Sequence, residues 1–115
     1  MIDIKIRAYH FSLSIIRFFK DYNLDRRFYS LISQVIRSSC SVGVNVVEGK
    51  NSSSKKELIR YNEIALKSAN ETKYWLCLLR DAFDKNKEEL NVLLKEADEI
   101  SRIIAQSIIS LKAKK

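Results

Sequence analysis

Apolar residues recur at intervals of three and four through nearly the whole chain, and no proline interrupts them. That interval stacks side chains on one face of a helix with 3.6 residues per turn. Phe11, Ile15, Phe18, Phe19 and Tyr22 mark a first helix over residues 3–22. A polar break at 23–25 follows, with Asp25 placed to cap the next helix. Phe28, Leu31, Val35, Val42 and Val46 form the stripe of a second helix over 26–48, and Gly49 stands where a left-handed C-cap residue is expected. Gly43 lies inside that helix at a cost of about 1 kcal/mol relative to alanine, which predicts the close approach of a neighbour. Ser54 and Glu57 have the spacing of a capping box, opening a third helix that ends near residue 83. Asn86 and Glu89 repeat the spacing before a fourth, whose stripe runs from Leu90 through Leu93, Ala97, Ile100, Ile104 and Ile108 to Leu111. Four amphipathic helices with short links specify an all-α fold, an antiparallel up-down four-helix bundle forming one domain over residues 1–115.

Composition supports this and removes other classes. Apolar residues make up 46% and charged residues 30% of the 115, too apolar for a disordered chain. Two glycines and no proline leave an all-β fold without its turns. No run is apolar for long enough to span a bilayer, and the N-terminus lacks a signal-peptide layout, so the expected location is the cytoplasm. Cys40 and Cys77 stand apart and read as buried free thiols rather than metal ligands. The single histidine, His10, has no nucleophile or elbow motif associated with it. No cofactor, metal or catalytic residue is expected, and no enzymatic activity.

The charge is uneven. Net charge is +7 overall, and residues 1–60 carry 11 Lys and Arg against 5 Asp and Glu. Such an excess favours polyanions through phosphate contacts. Candidate RNA- or DNA-binding residues are Arg17, Lys20, Arg26, Arg27, Lys50, Lys55, Lys56 and Arg60. Three of them, Lys50, Lys55 and Lys56, flank a serine-rich loop at a helix N-terminus, a suitable phosphate perch. The competing reading is that these charges only solubilise, leaving a protein–protein adaptor or structural oligomer.

Two helices carry more than a core stripe. On the second, Gln34, Arg37, Ser38, Ser41, Asn45 and Glu48 share a narrow sector away from the apolar stripe. Short hydrogen-bonding groups suit a closely packed contact between helices or subunits; a solvated face and a ligand site are the alternatives. On the third, Tyr61, Ala65, Ser68, Thr72, Trp75, Leu76 and Leu79 form the core face, while Ile59, Leu66 and Cys77 fall nearly opposite. A second apolar strip points to self-association. Glu71 borders the core face and calls for a partner, for which Arg37 serves if the two helices are neighbours.

Two strings carry a resemblance. The first is Arg37 to Gly49, with Ser41-Val42, Asn45-Val46 and Glu48-Gly49; the second is Ile64-Ala65, Ser68 and Glu71, followed by Thr72 and Tyr74-Trp75. Residues 31–80 resemble the small four helix bundle protein family, which includes proteins encoded in intervening sequences of bacterial 23S rRNA genes. The accessory variability determinant of diversity-generating retroelements is related to it. The resemblance implies a non-enzymatic bundle assembled as a homopentamer, with a basic exterior for nucleic acid or a protein partner. It implies that Arg37, Ser41, Asn45, Glu48, Gly49, Ser68 and Glu71 maintain fold and assembly. The tryptophan common in the family's first helix is absent, and Phe11 and Phe18 stand in its place.

Overall fold

A computed structural model describes residues 3–114. Met1, Ile2 and Lys115 lie outside the described residues. Four α-helices account for most of the rest: α1 (Ile4–Lys20), α2 (Tyr29–Lys50), α3 (Lys55–Phe83) and α4 (Lys87–Ala113), with a 3-10 turn at Arg26–Phe28 before α2. Among the described residues there is no strand, and no helix is long and apolar enough to cross a membrane.

Contacts fix the arrangement. Ala8 of α1 faces Gly43 of α2, and the Ser12 hydroxyl donates to the Ser39 carbonyl at 3.1 Å. Ser41 of α2 meets Ser68 of α3, and Gly49 meets Tyr61. Lys73 of α3 reaches Asp98 of α4, and Lys112 reaches Glu63. In each pair one number rises as the other falls, so successive helices run antiparallel. Arg7 ties α1 back to α4, with Nε and one terminal nitrogen each 2.7 Å from a Glu96 oxygen and Glu99 beside it. The result is a rod of 51 × 21 × 20 Å.

The stripes read from the sequence form the core. Phe11, Ile15, Phe19, Val35, Val42, Val46, Ala65, Leu76, Leu79, Ile100 and Ile104 are buried together. Phe18 and Trp75 pack at the edge of that cluster.

Several local expectations change. Gly49 is not a left-handed cap: α2 continues through Lys50, and no glycine has positive φ. Its lack of a side chain has another cause. A Cβ there would lie 3.2 Å from both Leu58 Cδ1 and Tyr61 Cβ, so α3 leaves no comfortable room for it. At Gly43 the expected neighbour is present, but a Cβ would meet Ala8 Cβ at 3.8 Å, ordinary contact. The left-handed residues are Asp84 and Asn86, with φ of 50° and 55°, which turn the chain between α3 and α4. Asn86 therefore caps no amide; its side chain donates to Glu89 at 2.9 Å, and that bond holds the Glu89 carboxyl below its usual range. At α3 the Ser54 hydroxyl accepts from the Glu57 amide at 3.1 Å, but Glu57 reaches back to the Ser53 amide rather than to that of Ser54. Cys40 and Cys77 are free and only half-buried.

Candidate nucleic-acid interface

The basic residues gather at the two ends of the rod. Arg17 and Lys20 occupy the last turn of α1, where cations complement the helix dipole. Arg26 and Arg27 follow in the 3-10 turn, which Asp25 caps by accepting from the Arg27 amide at 2.9 Å. Arg27 is partly engaged: Nε lies 3.1 Å from Asp25, and its guanidinium sits over the Phe28 ring at 5.3 Å.

The second group lies at the far end of α2. Lys50 closes that helix, with Nζ 3.9 Å from an Asp3 oxygen. Lys55 opens α3 and donates to the Lys114 carbonyl. Arg60 stacks over Tyr61 at 4.5 Å. All eight side chains are exposed. Among the described residues, Arg17, Lys20, Arg26, Lys56 and Arg60 have no carboxylate within 4.0 Å. The 22 residues of α2 separate the two groups by about 33 Å at 1.5 Å per residue. The structure thus divides the eight candidate cations between two ends of the rod.

The polar sector of α2 has a different fate. It faces α3 and forms a hydrogen-bonded seam. Ser38 and Thr72 are fully buried, with hydroxyls 2.8 Å apart, and the Thr72 hydroxyl also lies 2.8 Å from the Ser68 carbonyl. Thr72 donates towards both, sharing its one proton, while Ser38 donates to the Val35 carbonyl at 3.3 Å. Ser41 and Ser68 hydroxyls stand 2.8 Å apart, and Asn45 donates to the Ser41 carbonyl at 2.8 Å. Outside this row Arg37 pairs with Glu71, which also accepts from the Trp75 indole at 2.9 Å, while Gln34 accepts from Arg37 Nε at 2.9 Å. Of the open alternatives for this sector, contact between helices is what the geometry brings about, with Arg37, Ser41, Asn45, Ser68 and Glu71 all in it. Glu48 stays on the exposed surface. His10 is exposed as well.

The apolar strip expected on α3 is absent as such. Leu66 packs against the core, and Ile59 and Cys77 are half-buried. An apolar surface exists elsewhere. Ile6, Tyr9 and Ile16 on α1 and Tyr29, Val44 and Val47 on α2 are all exposed, and by helical position all six lie on the outer side of the α1–α2 pair. The signal was in the sequence: in α1 these positions stand three and seven residues apart, a helical spacing offset from the core stripe. Lys114 is not among the candidate residues drawn from the sequence, yet the antiparallel α4 returns it to the start of α3, where it lines a cleft with Lys50 and Lys55.

The arrangement has known counterparts. A solved structure from Bacteroides thetaiotaomicron, of a protein of unknown function from the S23 ribosomal protein family, superposes with a TM-score of 0.85 at 28% identity, covering 92% of this chain and 98% of that one. No curated protein matches. Residues 2–106 match the family described as 23S rRNA-intervening sequence protein. With nearly the whole chain inside that match and the same four-helix arrangement in the solved relative, the chain belongs to the 23S rRNA-intervening sequence protein family.

Proposed function

We propose that the protein is a non-enzymatic, oligomeric helical bundle of the cytoplasm that binds RNA or DNA through the phosphates, with its four helices acting as one domain. The observation that carries this reading is the placement of the cations: eight exposed Lys and Arg at two ends, most of them outside ion pairs. Cations already neutralised by carboxylates would have little to offer a phosphate; these retain their charge for counterion release.

Self-association is supported by the outer face of α1 and α2. Tyr9 is 64% exposed and Val44 59%. A covering copy would remove that surface from water at roughly 25 cal/mol per Å². The family resemblance sets the expected subunit number at five. A ring of copies would also multiply the basic ends presented to one strand.

The experiment is a fluorescence titration of structured RNA, single-stranded RNA and duplex DNA at several salt concentrations, with light scattering on the same preparation. Micromolar or tighter binding at physiological salt, weakened in a Lys55→Glu/Lys56→Glu variant, is the expected result. Binding confined to low salt, or unchanged by that variant, removes the role of the basic ends and turns attention to a protein partner on the α1–α2 face.

A further inference from the structure

We infer that the cleft at the α2–α3 end of the rod binds a nucleoside phosphate, either as a free nucleotide or as the 5′-phosphorylated end of a strand. The cleft measures about 670 Å³ and is open to solvent. That lies within the usual range for small-molecule sites, roughly 300–1,000 Å³.

Its chemistry is sorted by depth. Among the described residues, Lys50, Lys55 and Lys114 line it and no Asp or Glu does, although the chain has 14 acidic residues. Two carboxylates stand nearby to be outcompeted: Asp3, 3.9 Å from Lys50 Nζ, and Glu57 in the first turn of α3, which accepts from the lining Ser53 at 3.3 Å. Deeper in, the half-buried Ile4, Leu58 and Leu111 give the cleft its apolar surface, laid over the core residues Val46 and Ile104. Asn62, Gln106 and Ser107 supply amide and hydroxyl groups. A bare anion would use the lysines and leave the apolar floor wet. A phosphate carrying a flat, partly apolar base with hydrogen-bonding edges would use both. The N-terminus of the 29-residue α3 adds its positive end at the same rim.

Lys55 now donates to the Lys114 carbonyl, a weak competitor for a phosphate dianion. Lys56, its neighbour in sequence, does not line the cleft. That difference separates cleft binding from general attraction to the basic end.

The inference rests on the nucleic-acid reading for the source of its ligand, and one experiment tells the two apart. The affinities of a labelled six-nucleotide RNA with a 5′-phosphate, the same RNA with a 5′-hydroxyl, and AMP are measured at physiological salt. The phosphorylated strand is expected to bind at least about 10-fold more tightly, equivalent to about 1.4 kcal/mol. Lys50→Ala/Lys55→Ala should abolish the difference, and so should Ser110→Trp, which plugs the cleft from an exposed position without altering charge. Lys56→Ala should keep it. AMP binding as tightly as the strand identifies a free nucleotide as ligand; the strand alone binding identifies a strand end. Equal affinity for the two strands with no binding of AMP overturns the inference while leaving the surface reading intact. AMP binding that Ser110→Trp removes, with neither strand bound, does the reverse. The comparison of the two strands uses the unaltered protein, so it decides even if a variant misfolds.

Discussion

Gly43 and Gly49 share one helix and face different neighbours, so the same substitution should have opposite effects. Alanine at Gly43 would place its Cβ 3.8 Å from Ala8 Cβ, which costs nothing sterically. It gains helix propensity and reduces the entropy of the unfolded chain. Gly43→Ala is expected to raise stability by about 0.5–1 kcal/mol in urea unfolding. At Gly49 the added methyl meets Tyr61 Cβ at 3.2 Å, an atom fixed to the α3 backbone, as well as the more yielding end of Leu58. Overpacking there should outweigh propensity, and Gly49→Ala is expected to cost about 1 kcal/mol. Equal effects at the two sites would refute this account. Residue spacing alone could not have separated them. The sequence suggested a left-handed cap at Gly49 and a forced close approach at Gly43; the first is a crowded contact and the second an ordinary one, and the two look alike until the neighbour is placed. The true left-handed positions, Asp84 and Asn86, hold residues that tolerate this conformation without advertising it as glycine does.

Helix by helix, the seam between α2 and α3 was the most legible part of the candidate site. Arg37, Ser38, Ser41 and Asn45 lie within one sector because helical geometry demands it, and Glu71 needed a cation because it bordered a core face. What the sequence lacked was adjacency, and the short 51–54 link between antiparallel helices supplies it. The apolar strip on α3 was misread for the converse reason: a helix wheel does not tell how far around α4 wraps, and Leu66, packed on the core, stands one heptad before Lys73, which reaches Asp98 of α4. Thr72→Val keeps the shape of the seam but removes its central hydroxyl, and a loss of about 1 kcal/mol is expected in urea unfolding. Between α3 and α4 the analogous link is ionic. Asp98 takes Arg102 Nε at 2.8 Å and Lys73 Nζ at 3.2 Å, and these two cations, Arg102 first, hold its carboxyl below the usual range. A carboxyl depressed in the folded state favours folding above its unfolded value, near 3.9 for aspartate, and loses that contribution as pH falls through the folded one. Thermal midpoints should therefore fall on acidification from about pH 5 to pH 3, and Asp98→Asn should make that fall shallower. An identical slope in the variant would remove Asp98 from the acid response.

At the scale of the whole molecule the division of charge between two ends limits how one protomer can engage a polyanion. Each end offers four of the candidate cations: Arg17, Lys20, Arg26 and Arg27 at one, Lys50, Lys55, Lys56 and Arg60 at the other. On duplex DNA each neutralised phosphate contributes about 0.9 to the slope of log affinity against log salt, so four candidates give roughly 3.6, and Lys114 beside Lys50 and Lys55 raises its end to roughly 4.5. A ligand must extend about 33 Å, near ten base pairs, to reach the second end of the same chain. A duplex of six base pairs is thus expected to stay at or below that slope, and one of twenty to exceed it, either by spanning a protomer or by touching several in an assembly. Light scattering on a Tyr9→Lys/Val44→Lys variant separates the two routes. Two lysines on the exposed α1–α2 face should dissolve an assembly built on it while leaving the core of each bundle undisturbed, since neither side chain is buried. If the steep slope on the long duplex survives in the dissociated protein, a single rod bridges its own two ends. If it drops to the one-end value, the assembly aligns the basic ends of neighbouring copies along the strand. A slope that does not grow with duplex length in either protein would mean that only one end binds, and charge reversal at Arg26 and Arg27 against Lys55 and Lys56 would then identify which.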